Sequence, residues 1–66
     1  MKNGKITSIT GSVVDVSFTQ GNLPQIKDAL KVTTDERTLT LEVAAILECG
    51  KVRCLALGTT DGLMLG

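Results

Sequence analysis

Aromatic side chains are nearly absent from this sequence. Phe18 is the only one, and the chain has no Trp, Tyr or His. Proteins that bind single-stranded nucleic acids stack the bases on aromatic rings, so one Phe argues against that function. Because His is absent, no Ser-His or Cys-His pair can activate a nucleophile. The sequence therefore lacks the commonest means of nucleophilic catalysis.

The chain has no excess of charge and no long apolar run. Its seven Lys and Arg residues balance seven Asp and Glu residues, whereas nucleic-acid binders and membrane-surface binders cluster basic residues on one face. A membrane-spanning helix needs about 18 consecutive apolar residues, and no run in this sequence approaches that length. We therefore expect neither nucleic-acid binding nor direct insertion into a membrane.

The residues that could carry chemistry do not form a recognisable site. Cys49 and Cys54 are two thiols without the further Cys or His ligands that structural zinc requires. A phosphate-binding loop needs Gly five residues before its Gly-Lys pair and a hydroxyl after it; around 50–51, those positions hold Ala45 and Val52. We expect no catalytic, cofactor-binding or metal-binding residue in this chain.

Alternation of apolar and polar residues is the dominant pattern, and it predicts β-strands. The longest alternation places Leu39, Leu41, Val43, Ala45 and Leu47 at every second position. Good helix formers occur there as well, but the pattern starts upstream in Thr-rich sequence, which favours a strand. The predicted strands cover residues 5–10, 12–19, 29–33, 39–47, 52–57 and 63–65.

A change of face is expected near the start of the second strand. The apolar parity switches across Val13 and Val14, which indicates a bulge or a sharp bend, and Gly11 suits a strand that turns a barrel corner. Loops are predicted at 20–24 and 34–37, and a tight turn at 48–51.

These strands predict an all-β fold, a small closed six-stranded antiparallel barrel of Greek-key type. Closing the sheet removes edges that a chain of 66 residues could not otherwise protect. Residues 1–4 are expected to form an N-terminal tail, and residues 5–66 a single barrel domain.

Seven stretches in the same order resemble the N-terminal β-barrel domain of the catalytic beta subunit of rotary, F-type ATP synthases. The stretches are Gly4-Lys5-Ile6, Gly11-Ser12-Val13-Val14-Asp15-Val16-Ser17-Phe18, Leu23-Pro24, Asp28-Ala29-Leu30, Leu41-Glu42-Val43, Val52-Arg53 and Ala56-Leu57-Gly58-Thr59-Thr60-Asp61-Gly62-Leu63. Each is weak alone, but together they cover almost the whole chain. The six-stranded barrel of that family agrees with the fold inferred from alternation.

The resemblance implies a non-catalytic assembly module. In that family the beta barrels alternate with alpha-subunit barrels in a six-membered crown, and the complete enzyme makes ATP from ADP and phosphate using a transmembrane proton or other ion gradient. The phosphate loop and the residues that bind Mg-ATP or Mg-ADP lie in a nucleotide-binding domain beyond the barrel. We thus expect the segment to end before that domain, and its partner to be the alpha subunit.

The resemblance also implies a location. The complex is peripheral, and the absence of a presequence favours the cytoplasmic side of a bacterial inner membrane, with plastid or mitochondrial origins less favoured.

Three positions depart from the family pattern. Ile46 stands where the family usually has His, Leu65 where it has a basic residue, and Cys54 where Thr is more frequent. No role that the family assigns to the missing His or basic residue carries over to this chain.

Apolar residues that point outward are candidates for the inter-subunit surface, and we select Ile46, Leu55 and Leu57. Two alternatives remain open. The chain could be the barrel of an alpha subunit or of a related rotary or secretion ATPase, or it could be a free-standing small β-barrel binding module.

Overall fold

The fold is all-β and antiparallel. A computed structural model describes residues 4–19, 23–34 and 37–66. Five strands occur in these ranges: β1 Gly4–Thr10, β2 Val13–Phe18, β3 Ala29–Thr33, β4 Thr38–Ile46 and β5 Lys51–Ala56. The strand expected at 39–47 is present, so its helix formers do not decide the local structure. Of the predicted tail, Gly4 belongs to β1 and residues 1–3 lie outside the described ranges, as do 20–22 and 35–36 of the predicted loops.

The strands form one sheet in the order β1-β2-β5-β4-β3, and all neighbours are antiparallel. The two ends of this order, β1 and β3, face each other across a common cleft lined by Ile6 and Val32. The sheet is therefore curled into a half-barrel, which agrees with a barrel domain, but no described pairing joins β1 to β3.

The strand predicted over 63–65 is wrong. These residues lie outside any strand, and the described segment after β5 makes one backbone hydrogen bond to β1, from Gly66 N to Ile6 O at 2.8 Å. Gly62, which has a positive φ, interrupts the extended backbone directly before the three apolar residues. A single backbone hydrogen bond to β1 does not make a ladder.

The first two strands form a hairpin. Gly11 and Ser12 connect β1 to β2, and Thr10 pairs with Val13 directly after this two-residue turn. Gly11 adopts φ +58°, and a Cβ there would meet no atom within 4 Å. Gly11 thus provides a turn conformation, and the predicted corner with a bend at Val13 and Val14 is wrong because the change of face occurs at the turn itself.

Two irregularities in register shape the sheet. One lies between Ile6 and Ser8 in β1, and it allows both Ile6 and Ile9 to contact the core although they are three residues apart. The other lies between Val43 and Ala45 in β4. A bulge of this kind adds an unpaired residue, bends the strand and reverses the alternation beyond it.

The core lies on the concave side of the sheet. Val14, Leu41, Val52 and Cys54 are completely buried, and they come from three strands that are adjacent in the sheet. The other buried apolar residues are Ile6, Val16, Phe18, Leu39 and Val43. Alternate residues of β2, β5 and most of β4 therefore face the core, as the period of two in the sequence predicts.

Candidate functional site

The convex side of the sheet carries an apolar surface near its middle. Leu55 of β5 lies between Val13 of β2 and Glu42 of β4. Leu57 continues past the end of β5, where its backbone N donates to Thr40 O at 2.9 Å. Residues two apart in a strand lie on the same face, so Leu55 and Leu57 face the same side. Val13, Leu55 and Leu57 are called the outer patch below.

The outer patch is open to solvent. Leu55 is 44% exposed and Leu57 is 62% exposed, while Val13 is half-buried. A leucine that projects from the middle of a sheet without cover leaves apolar surface in contact with water. Leu55 and Leu57, two of the residues selected from the sequence, both lie in the outer patch.

Ile46 lies elsewhere. It is 45% exposed, but the bulge at Ala44 pairs it with Val52, which is completely buried. Paired residues of antiparallel strands lie on the same face, so Ile46 is at the end of the sheet on the concave side. The structure brings Leu55 and Leu57 together and leaves Ile46 apart from them.

An ion pair borders the outer patch. Arg53, two residues before Leu55 in β5, pairs with Asp15 of β2. Its Nε donates to Asp15 Oδ1 at 3.0 Å and its Nη2 to Asp15 Oδ2 at 3.2 Å. The guanidinium therefore binds both carboxylate oxygens, and this two-point contact fixes the orientation of both side chains. The sequence alone did not reveal this ion pair, because it does not show that β2 and β5 are neighbours in the sheet.

The Arg53 hydrogen bonds lower the pKa of Asp15 below its ordinary value; burial opposes this shift, and the positive charges of Arg53 and Lys51 add smaller effects in the lowering direction. The Asp15 hydrogen bond in turn raises the pKa of Arg53. The pair is therefore fully charged at neutral pH.

A pH dependence of stability follows from Asp15. Because the folded-state pKa is lowered, its contribution is present above the unfolded pKa of about 3.9 and is lost as the pH falls through the folded value. The effect is small because half of the Arg53 side chain is exposed. We expect Asp15→Asn to lower the urea midpoint at pH 7 and to leave it unchanged near pH 2. An equal loss at both pH values would contradict this origin.

The two cysteines occupy different environments. Cys49 is exposed in the turn between β4 and β5, and Cys54 is buried in the core. Both are free thiols. Burial raises the pKa of the Cys54 thiol, with a smaller contribution from the Asp15 carboxylate. Reactivity depends on the thiolate and on access, so Cys54 is protected in the folded chain.

Thiol titration tests this difference. We expect one thiol per native chain to react with an aromatic disulfide reagent before unfolding and both to react in denaturant without added reductant. The Cys49→Ser variant should show no early reaction and one thiol in denaturant. Rapid reaction of two thiols in the native protein would show that the core around Cys54 opens readily.

Within residues 4–19, 23–34 and 37–66, no group of three or more Cys, Asp or Glu side chains is close enough to bind a metal ion. No helix in the same part of the chain has the length and apolar character needed to cross a membrane.

Comparison with known families identifies the family of this half-barrel. Residues 6–66 match the family described as ATP synthase alpha/beta family, beta-barrel domain. The chain belongs to this family. The resemblance found in the sequence is therefore confirmed, and the ATP synthase alpha/beta barrel accounts for the five antiparallel strands. Membership implies a part in a hetero-oligomeric ATP synthase. The match includes alpha and beta barrels alike, so it does not say which of the two this chain is.

Proposed function

We propose that this chain is the N-terminal barrel of an ATP synthase beta subunit and that it holds an alternating ring with alpha subunits together. The observation that carries the proposal is the outer patch: Leu55 and Leu57 project from the convex face of a barrel whose family works in an assembly. Apolar side chains in this position are suited to contact a neighbouring subunit. Ile46 provides a separate contact point at the end of the sheet.

This role implies that the barrel and the other domains of the complete subunit have different functions. The barrel contributes stiffness and lateral contacts, while Mg-ATP or Mg-ADP binds in a nucleotide-binding domain that follows it. The complete enzyme makes ATP using a transmembrane proton or other ion gradient, as a peripheral complex on the cytoplasmic side of a bacterial inner membrane. The barrel itself binds no nucleotide cofactor and does not insert into the membrane.

We propose that, in the complete subunit, this domain is a closed barrel of six strands. The cleft between β1 and β3 is bordered by two sheet edges, and an antiparallel edge can accept a further strand through its free backbone groups. An additional strand in that cleft would complete the sheet.

A chimera experiment tests the assignment to the beta subunit. Residues 4–66 replace the barrel of the beta subunit in one chimera of a bacterial ATP synthase, and the barrel of the alpha subunit in the other. We expect hexameric rings by size-exclusion chromatography from the beta chimera with native alpha, and not from the alpha chimera with native beta. The reverse result would assign the chain to the alpha subunit.

Titration calorimetry tests the non-catalytic role of the barrel. The isolated chain should show no Mg-ATP binding with a dissociation constant below about 1 mM, which corresponds to about 4 kcal/mol. Tighter binding would favour the alternative of a free-standing binding module.

A further inference from the structure

The loop that follows β5 contacts the turns of two different hairpins. On one side, Arg37 Nη2 donates to the backbone oxygens of Thr59, at 2.6 Å, and Asp61, at 3.0 Å. On the other side, Thr60 Oγ1 donates to Gly11 O at 2.8 Å. These contacts, from Arg37 and Gly11 to the loop 59–61, are called the clasp below. The clasp joins the turn between β1 and β2 to the start of the β4 segment.

The loop 59–61 and Arg37 are each held in place by further local hydrogen bonds. The loop is braced by Asp61 N, which donates to Thr59 Oγ1 at 3.2 Å, and by Leu63 N, which donates to Thr60 O at 3.0 Å. Arg37 is half-buried, and its backbone N donates to Thr34 Oγ1 at 3.2 Å. Arg37 is thus held in position while its guanidinium donates to two carbonyl oxygens of the loop. Two such hydrogen bonds restrict the orientation of the loop more than a single contact from a flexible side chain would.

The chain continues from the clasp along the cleft between β1 and β3. Residues 63–66, called the strap, follow the loop and line one side of the cleft of about 470 Å³, which Ile6 of β1 and Val32 of β3 also line. Leu63 packs against the core, and Gly66 N donates to Ile6 O at 2.8 Å on the free edge of β1. The strap therefore covers part of an edge whose backbone groups would otherwise be open to pairing.

The clasp also joins the hairpins that carry the two edges of the sheet. Gly11 belongs to the hairpin of β1, and Arg37 lies at the turn of the hairpin of β3. No described strand pairing connects those edges, so the loop 59–61 is a bridge between them at one end of the half-barrel.

We propose that the clasp is a latch that holds the strap on the edge of β1 and sets the width of the cleft between β1 and β3. With the latch closed, the strap covers the edge. When Arg37 and Thr60 release the loop, the strap leaves the cleft and the β1 edge becomes available to another strand. This role is independent of the proposed assignment to a beta subunit, because it depends only on contacts within the chain.

Backbone dynamics of the 66-residue chain measured by NMR test the latch. Arg37→Ala removes the bonds to Thr59 and Asp61, and Thr60→Val removes the bond to Gly11 while preserving side-chain shape. Two matched variants serve as controls. Arg53→Ala removes an arginine that also forms two hydrogen bonds, but to Asp15, and Thr7→Val removes a threonine hydroxyl that donates to a backbone oxygen, that of Asp15.

With the latch closed, amide order parameters of the strap should be near 0.85, the value of a rigid backbone, and with it open they should fall below about 0.6. We expect this fall in Arg37→Ala and Thr60→Val, with β2 and β5 unchanged, and no such fall in either control. A strap that stays rigid in both latch variants overturns the proposal, as does an equal loss of order in the controls. If Arg37→Ala unfolds the whole chain, Thr60→Val alone decides between these results.

Discussion

Leu41→Ala is expected to leave the isolated chain largely unfolded at 25 °C. Leu41 is completely buried, and it pairs with Leu30 of β3 on one side and Ala56 of β5 on the other. Truncation of a buried leucine lowers the free energy of unfolding by about 2–5 kcal/mol. Since a domain of this size rarely has more than about 3–5 kcal/mol in total, the loss is comparable with its whole stability.

A urea melt followed by circular dichroism measures this loss, and Leu57→Ala is the matched control. Leu57 is 62% exposed, so the same truncation there should change the stability by less than about 0.5 kcal/mol. Equal losses for the two variants would show that the concave side of the sheet is not the core.

Gly50→Ala is expected to have the second large effect on stability. Gly50 adopts φ +75°, and a Cβ at this position would lie 2.8 Å from Phe18 O. The left-handed conformation alone costs a residue with a Cβ about 1–2 kcal/mol. The contact adds to this, because the turn must move away from Phe18, whose N donates to Gly50 O at 2.8 Å. Loss of that hydrogen bond removes a further contribution of about 0.5–1.5 kcal/mol.

The Gly11→Ala variant separates the conformational cost of a positive φ from the cost of the contact with Phe18. Gly11 also has a positive φ, but a Cβ there meets nothing within 4 Å. We expect its denaturant midpoint to fall by the conformational part alone, and that of Gly50→Ala to fall clearly further. A Gly11 variant as unstable as the Gly50 variant would mean that the approach of the turn to Phe18 has no energetic role.

Alternation in the sequence was sufficient for five of the six predicted strands and for separating the two faces of each. In β2, Val14, Val16 and Phe18 have the same parity, and the structure buries all three. The period of two is a direct consequence of strand geometry, so it can be recognised without knowing which strands are neighbours. The same reasoning put Leu55 and Leu57 on one face, but it did not show which face is the interior.

Features that depend on pairing could not be predicted in this way. The bulge at Ala44 lies in a run where every residue is compatible with a regular strand, and only the register of β4 on β5 reveals it. It reverses the parity beyond Val43, so Ile46 lies on the opposite face of the sheet from Leu55. The short apolar run at 63–65 met the local criterion for a strand, but a strand also requires a paired edge of sufficient length, which is a tertiary property.

The most direct test of the assembly role measures ring formation by an ATP synthase beta subunit that carries this barrel with Leu55→Asp. Leu55 is exposed on the outer patch, so the charge is tolerated in the isolated chain, whereas in a subunit contact it would be buried without a partner. Ile26→Asp is the control, since Ile26 is 57% exposed but precedes β3 and lies outside the outer patch.

We predict that the thermal melt of the isolated 66-residue chain is unchanged by either substitution, and that the yield of hexamers with alpha subunits falls for Leu55→Asp alone. Normal ring yield for Leu55→Asp, in a subunit that is folded, would contradict the proposal that this barrel holds the ring together through its outer patch.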